Sequence, residues 1–137
     1  MGPLHKIASG GELARIMLAL KVVLADADSV PSIVFDEVDA GIGGAAAAAV
    51  GLRLSRLSRD LQVMAVTHSP QVAAMANQQW QITKSGDSDT TQTLVQALDP
   101  DARKEEIARM LAGAEVTDAA RAAAGQLLDG ENFGKTV

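Results

Sequence analysis

Ser32-Ile33-Val34-Phe35-Asp36-Glu37 is the stretch on which the reading of this chain turns. A continuous β-branched and aromatic run of this kind is the pattern of a strand buried on both faces. It ends abruptly in two acids. Adjacent carboxylates at the end of a buried strand are costly to desolvate unless a cation or a solvent opening meets them. Further along, Leu61 to Thr67 is a second buried run, and it ends in His68. Between the two lie a loop, Ala40-Gly41-Ile42-Gly43-Gly44, and a helix from Ala45 to Arg59. That helix opens on five consecutive alanines, a thin side on which other backbone can approach closely. In open α/β sheets the C-terminal strand ends face the ligand crevice, so the acids and the histidine point the same way.

Upstream, Ser9 reads as an N-cap with Glu12 at N3, a capping box. Leu13, Ile16, Met17, Leu20 and Leu24 then recur at helical spacing, and Pro31 marks the break. Downstream, Ser69-Pro70 supplies an N-cap and an N1 proline for a short helix to about Asn77. Trp80 to Lys84 and Thr93 to Leu98 alternate around a polar tract and predict a hairpin. Asp99-Pro100 opens a helix that Gly113 ends, and Thr117 caps a last one to about Leu128. The expected class is α/β: parallel buried strands flanked by helices, then a hairpin and helices. Residues 1–130 read as one lobe with no boundary inside it, and 131–137 as a tail. Met1-Gly2 running straight into a motif reads as a truncated or engineered start.

At 137 residues the chain is long enough to bury a core. Its apolar content of 47% excludes a disordered chain, and the core must be built from Ala, Val, Leu, Ile and Met, since only Phe35, Trp80 and Phe133 are aromatic. A net charge of −5 argues against a main nucleic-acid contact surface here. The chain has no cysteine, so a reducing cytoplasm is the default compartment. Every apolar run is far too short for a membrane span.

Each candidate site residue carries two readings. Asp36-Glu37 is either a solvated acidic turn or a pair in which one acid holds Mg²⁺ and the other orients attacking water. His68 is either a satisfied histidine beside a helix cap or a hydrogen-bonding partner for a γ-phosphate oxygen or the attacking water. Ser9 and Glu12 explain themselves as a cap, but Gly10 and Gly11 cost helix stability, which favours an anion site at the helix start. Asp39, with Gly41, Gly43 and Gly44, makes a flexible acid-bearing turn. Two features are set aside. Gly130 to Thr136 has three residues between its glycines where a phosphate loop needs four, and it follows a helix rather than a strand. Arg53, Arg56 and Arg59 spread around their helix and read as a solvated face.

In order and spacing these residues resemble the second half of an ABC-type ATPase head. Ala8 to Glu12 is similar to the signature motif, Ile33 to Glu37 to Walker B with the catalytic glutamate, Asp39 to the D-loop acid and His68 to the switch histidine. Lys6 to Arg15, Phe35 to Gly44, Thr67 to Ala74 and Glu106 to Gly113 closely resemble the RecN family of bacterial SMC-like DNA repair proteins. The resemblance implies the C-terminal lobe of an ABC/SMC-type P-loop ATPase head that sandwiches ATP against a second head in a homodimer. Ser9, Gly10, Gly11 and Glu12 would then meet the nucleotide in trans. Asp36 would hold Mg²⁺, Glu37 would polarise water, His68 would sense the γ-phosphate and Asp39 would couple the two sites. The implied role is DNA double-strand break repair and recombination, through DNA contacts of a longer protein in the cytoplasm, at the nucleoid, with no membrane partner. The Walker A lysine and the coiled coil of such proteins are missing from this sequence, so the chain alone is expected to be inactive. A transporter's ATP-binding subunit fits the loop after Val38 less well. A non-catalytic half-head that regulates a partner is the remaining reading.

Overall fold

The computed structural model describes residues 31–85, 92–113 and 115–130. They fall into two compact units, the first ending at Met75 and the second beginning at Ala76.

In the first unit β1 (Ser32–Asp36) and β2 (Gln62–Val66) pair in parallel, Ser32 beside Gln62 and Asp36 beside Val66. A parallel pair needs a crossover connection, and α1 (Gly44–Leu57) supplies it. Its buried residues Ala47, Val50, Gly51 and Leu54 form one stripe, packed with Phe35, Val38 and Val72. Ile33, Ile42, Leu57 and Val63 complete the edge of this core. Arg53 and Arg56 on this helix, and Arg59 in the turn after it, are all exposed, as expected of solvated side chains.

The strands differ from expectation in one respect. Ile33 and Phe35 turn toward α1, whereas Val34, Met64 and Val66 are exposed at 58%, 43% and 52%. Side chains alternate along a strand, so the helix that covers one face leaves the other bare. An unbroken apolar run is therefore buried on one face only.

The close backbone approach expected at the alanine run occurs one turn later, at Gly51. A Cβ there would sit 3.1 Å from the Gln71 carbonyl oxygen and 3.2 Å from the Val72 Cα, both on α2 (Pro70–Ala74). Alanine in a helix is favoured over glycine by about 1 kcal/mol. Overpacking against backbone costs about 1–3 kcal/mol. We therefore expect Gly51→Ala to be net destabilising by up to about 2 kcal/mol, the difference of those two effects. Urea unfolding checks this, and a raised midpoint would show that α2 moves away without cost.

Ser69 occupies the N-cap position of α2, but its side chain makes no capping bond. The hydroxyl donates instead to Gln71 Oε1 at 2.9 Å, and the Ser69 amide donates to Thr67 Oγ1 at 3.0 Å. The turn is thus closed from the strand side.

In the second unit β3 (Trp80–Ser85) and β4 (Gln92–Ala97) form the expected antiparallel hairpin, Trp80 opposite Ala97 and Ile82 opposite Val95. α3 (Pro100–Ala112) begins at Asp99, whose Oδ1 accepts from the Ala102 amide at 2.8 Å, and stops at Gly113 with φ 81°. α4 (Asp118–Gly130) is capped by Thr117, whose Oγ1 accepts from the Ala120 amide at 3.2 Å. The two helices bury Ile107, Ala108, Ala120 and Ala124. Arg121 clamps their outer edge by donating to both carboxylate oxygens of Glu105 and to Asp118. The Arg121 hydrogen bonds hold the Glu105 carboxyl below its usual range, so this support is lost as pH falls through that lowered value. The hairpin is tied to α3 through Glu106, which accepts from Gln81 at 2.7 Å and from Arg109.

Candidate functional site

The site lies where β1 and β2 end. Because Asp36 pairs with Val66, the residues just beyond, Glu37 on one strand and Thr67-His68 on the other, emerge at the same sheet end. Asp36 and Glu37 are both exposed there, so neither carboxylate is buried without compensation. Glu37 has φ 50°, the left-handed region that non-glycine residues rarely adopt. Such backbone costs on the order of 1 kcal/mol and persists only where its surroundings enforce it. Two features enforce it here. Val38 is anchored in the core, and two successive turns follow, Ala40 N to Glu37 O at 3.0 Å and Ile42 N to Asp39 O at 3.1 Å. Gly41, φ 72°, supplies the positive φ that the second turn requires.

Asp39 is carried into the interior by this double turn and is 0% exposed. Its Oδ2 accepts from the His68 amide at 3.3 Å and lies 3.5 Å from His68 Nδ1. Asp39 Oδ1 meets no donor among the described residues. The His68 ring is 78% exposed, leaving its outer edge open to whatever approaches the strand ends. The acid-bearing loop expected to be flexible is therefore pinned at both Val38 and Asp39. An apolar residue set between two acids was the available hint that this turn folds back onto the core.

Among the described residues no three or more His, Asp or Glu side chains gather as a metal cage. A lone exposed Asp36 nonetheless suits Mg²⁺, which is commonly bound by one or two protein carboxylates and otherwise by water and substrate phosphates. Ser9, Gly10, Gly11 and Glu12 lie outside the described residues, as does the Glu131 to Thr136 part of the glycine-bounded tail segment.

The chain is 52% identical over 127 residues to the DNA repair protein RecN of Streptomyces coelicolor, an alignment covering 93% of this chain. The chain is RecN-like over nearly its whole length. RecN of Deinococcus radiodurans is 52% identical over 95% of the chain, and RecN of Haemophilus influenzae 46% identical over 93%. The chain spans only 22–23% of the length of these relatives, in their C-terminal part. No protein-family model matches it. In fold, it is similar to a solved structure from work on the ATP-driven dimerization and DNA-stimulated activation of SMC ATPases. That match has a TM-score of 0.60 at 20% identity and covers 80% of this chain and 66% of the other. The α/β architecture expected from the RecN-like motifs is thus the one this chain adopts.

Proposed function

We propose that residues 1–130, with 131–137 as a tail, are the C-terminal lobe of an ATPase head in a RecN-like protein acting in DNA double-strand break repair and recombination. The observation that carries this reading is the register of β1 on β2, which sets Asp36-Glu37 and His68 at one sheet end. It does so in a chain about half identical to DNA repair proteins. Asp36 would be the residue that holds Mg²⁺, whose charge would offset that of the phosphates. Glu37, exposed just beyond the end of β1, accepts a proton from the attacking water. His68 contacts the reacting end of the nucleotide from the neighbouring strand. Ser9, Gly10, Gly11 and Glu12 meet the nucleotide held by a second head, and Asp39 couples the two sites. The remaining parts, an N-terminal lobe with the phosphate loop and a coiled coil, belong to the same longer protein. DNA is reached through that protein, in the cytoplasm at the nucleoid. No helix among the described residues is long and apolar enough to cross a membrane.

A composite site makes a sharp prediction. The 137-residue chain alone binds ATP weakly and hydrolyses none above background, because a phosphate loop with its lysine is not in its sequence. Mixed with a separately produced N-terminal lobe, it turns ATP over. Turnover by the chain alone, or no gain on mixing despite a stable complex, would count against the composite site.

A further inference from the structure

The contact between Asp39 and His68 constrains what the histidine can do. A buried carboxylate is stable only if donors face it. Among the described residues Oδ1 has none, and Oδ2 has the His68 amide at 3.3 Å with His68 Nδ1 at 3.5 Å. An imidazole with its proton on Nε2 would set the Nδ1 lone pair against Oδ2, lone pair facing carboxylate oxygen. With the proton on Nδ1, the same approach is attractive, and a small ring rotation brings it within hydrogen-bond range. The two ring nitrogens then have different chemistry: the bond made by one sets the role of the other.

We propose that Asp39 is a positioning residue acting within its own chain: it fixes the proton of His68 on Nδ1 and leaves Nε2, on the exposed side of the ring, as an acceptor. The neutral ring therefore meets a donor, a water or hydroxyl hydrogen, and not a bare phosphate oxygen. An anionic oxygen is met only by the ring carrying a second proton. The anchored amide also fixes where the ring stands, since the same carboxylate oxygen holds the backbone and the side chain of one residue. This inference deepens the reading of His68 as a site residue and rests on it.

The test is the tautomer itself, read by long-range ¹H–¹⁵N correlation of the imidazole in the whole chain at about pH 8.5, well above the ordinary histidine value. The chain has only His5 and His68, and a His68→Gln sample assigns the signals. The expected spectrum has His68 Nδ1 in the protonated range and Nε2 in the unprotonated range. Asp39→Ala removes the acceptor facing Nδ1, so the His68 proton moves to Nε2, the nitrogen that carries it in an unconstrained neutral imidazole. A backbone amide spectrum otherwise unchanged shows that the fold is kept. A proton on Nε2 in the unsubstituted chain overturns the proposal, as does a tautomer indifferent to Asp39→Ala in a folded chain. Turnover in the two-lobe mixture is a separate readout. An Nδ1–H tautomer without turnover would sink the ATPase reading and leave the pair standing. Turnover with an Nε2–H tautomer would do the reverse.

Discussion

Glu37→Gln is expected to lower ATP turnover of the two-lobe mixture by about 10²–10⁴-fold, the range contributed by a positioned general base. The substitution keeps the shape of the side chain and its carbonyl oxygen, and removes only the ability to take a proton. Glutamine tolerates the φ of 50° no better and no worse than glutamate, so the turn through Val38 and Asp39 stays as it is. The exposed position of Glu37 means that no buried charge is lost, and stability is expected to change by no more than about 0.5 kcal/mol, as for other surface substitutions. Nucleotide binding should persist while hydrolysis falls. Measuring both, ATP affinity by a fluorescent analogue and phosphate release by a coupled assay, separates lost chemistry from lost assembly. Unchanged phosphate release would remove Glu37 from the mechanism.

The largest effect on stability is expected at Phe35. It is 1% exposed at the centre of the core formed by Val38, Ala47, Val50, Leu54 and Val72. Truncation of such a side chain to alanine costs about 3–5 kcal/mol, the transfer free energy plus the cavity left behind. Small domains have roughly 5–15 kcal/mol in total, so Phe35→Ala should leave the first unit marginal or unfolded at 37 °C. Trp80 is the control. It is larger but 56% exposed, so Trp80→Ala should cost much less. Urea midpoints of the two variants make the comparison, and equal losses would contradict the burial. Because Phe35 stands immediately before Asp36 and Glu37, its loss should also abolish turnover in the mixture. That loss would come with a lost circular dichroism transition, which Glu37→Gln keeps.

Much of the fold is legible in the sequence because it is encoded locally. The alternation of Trp80 to Lys84 and Thr93 to Leu98 marks the hairpin, since apolar and polar residues alternate at the strand period. Asp99-Pro100 and Gly113 mark the ends of α3, because a capping carboxylate, a preset φ and a left-handed glycine act within one turn of chain. The crossover between β1 and β2 is likewise readable, for two apolar runs separated by a helix leave little choice but parallel pairing. The order of Asp36, Glu37 and His68 at strand ends follows from that pairing.

What stayed hidden depends on which residue meets which across the chain. Nothing in Ile33-Val34-Phe35 says that Phe35 is covered and Val34 bare, because both are apolar and the choice of face belongs to α1. Gly51 looks like an ordinary helix glycine until α2 lies against it. Asp39 resembles any loop acid, and its burial under the amide and ring of His68 joins residues 29 positions apart. Among the described residues the local pattern anticipates the type and order of the elements and the sequence of the acids and the histidine, because periodicity and capping act over a few residues. α1 and α2 nonetheless stop at Leu57 and Ala74, short of the Arg59 and Asn77 expected. Which faces are buried, and that Asp39 belongs to His68, is settled by packing, because burial and pairing depend on neighbours that the folded chain brings from elsewhere.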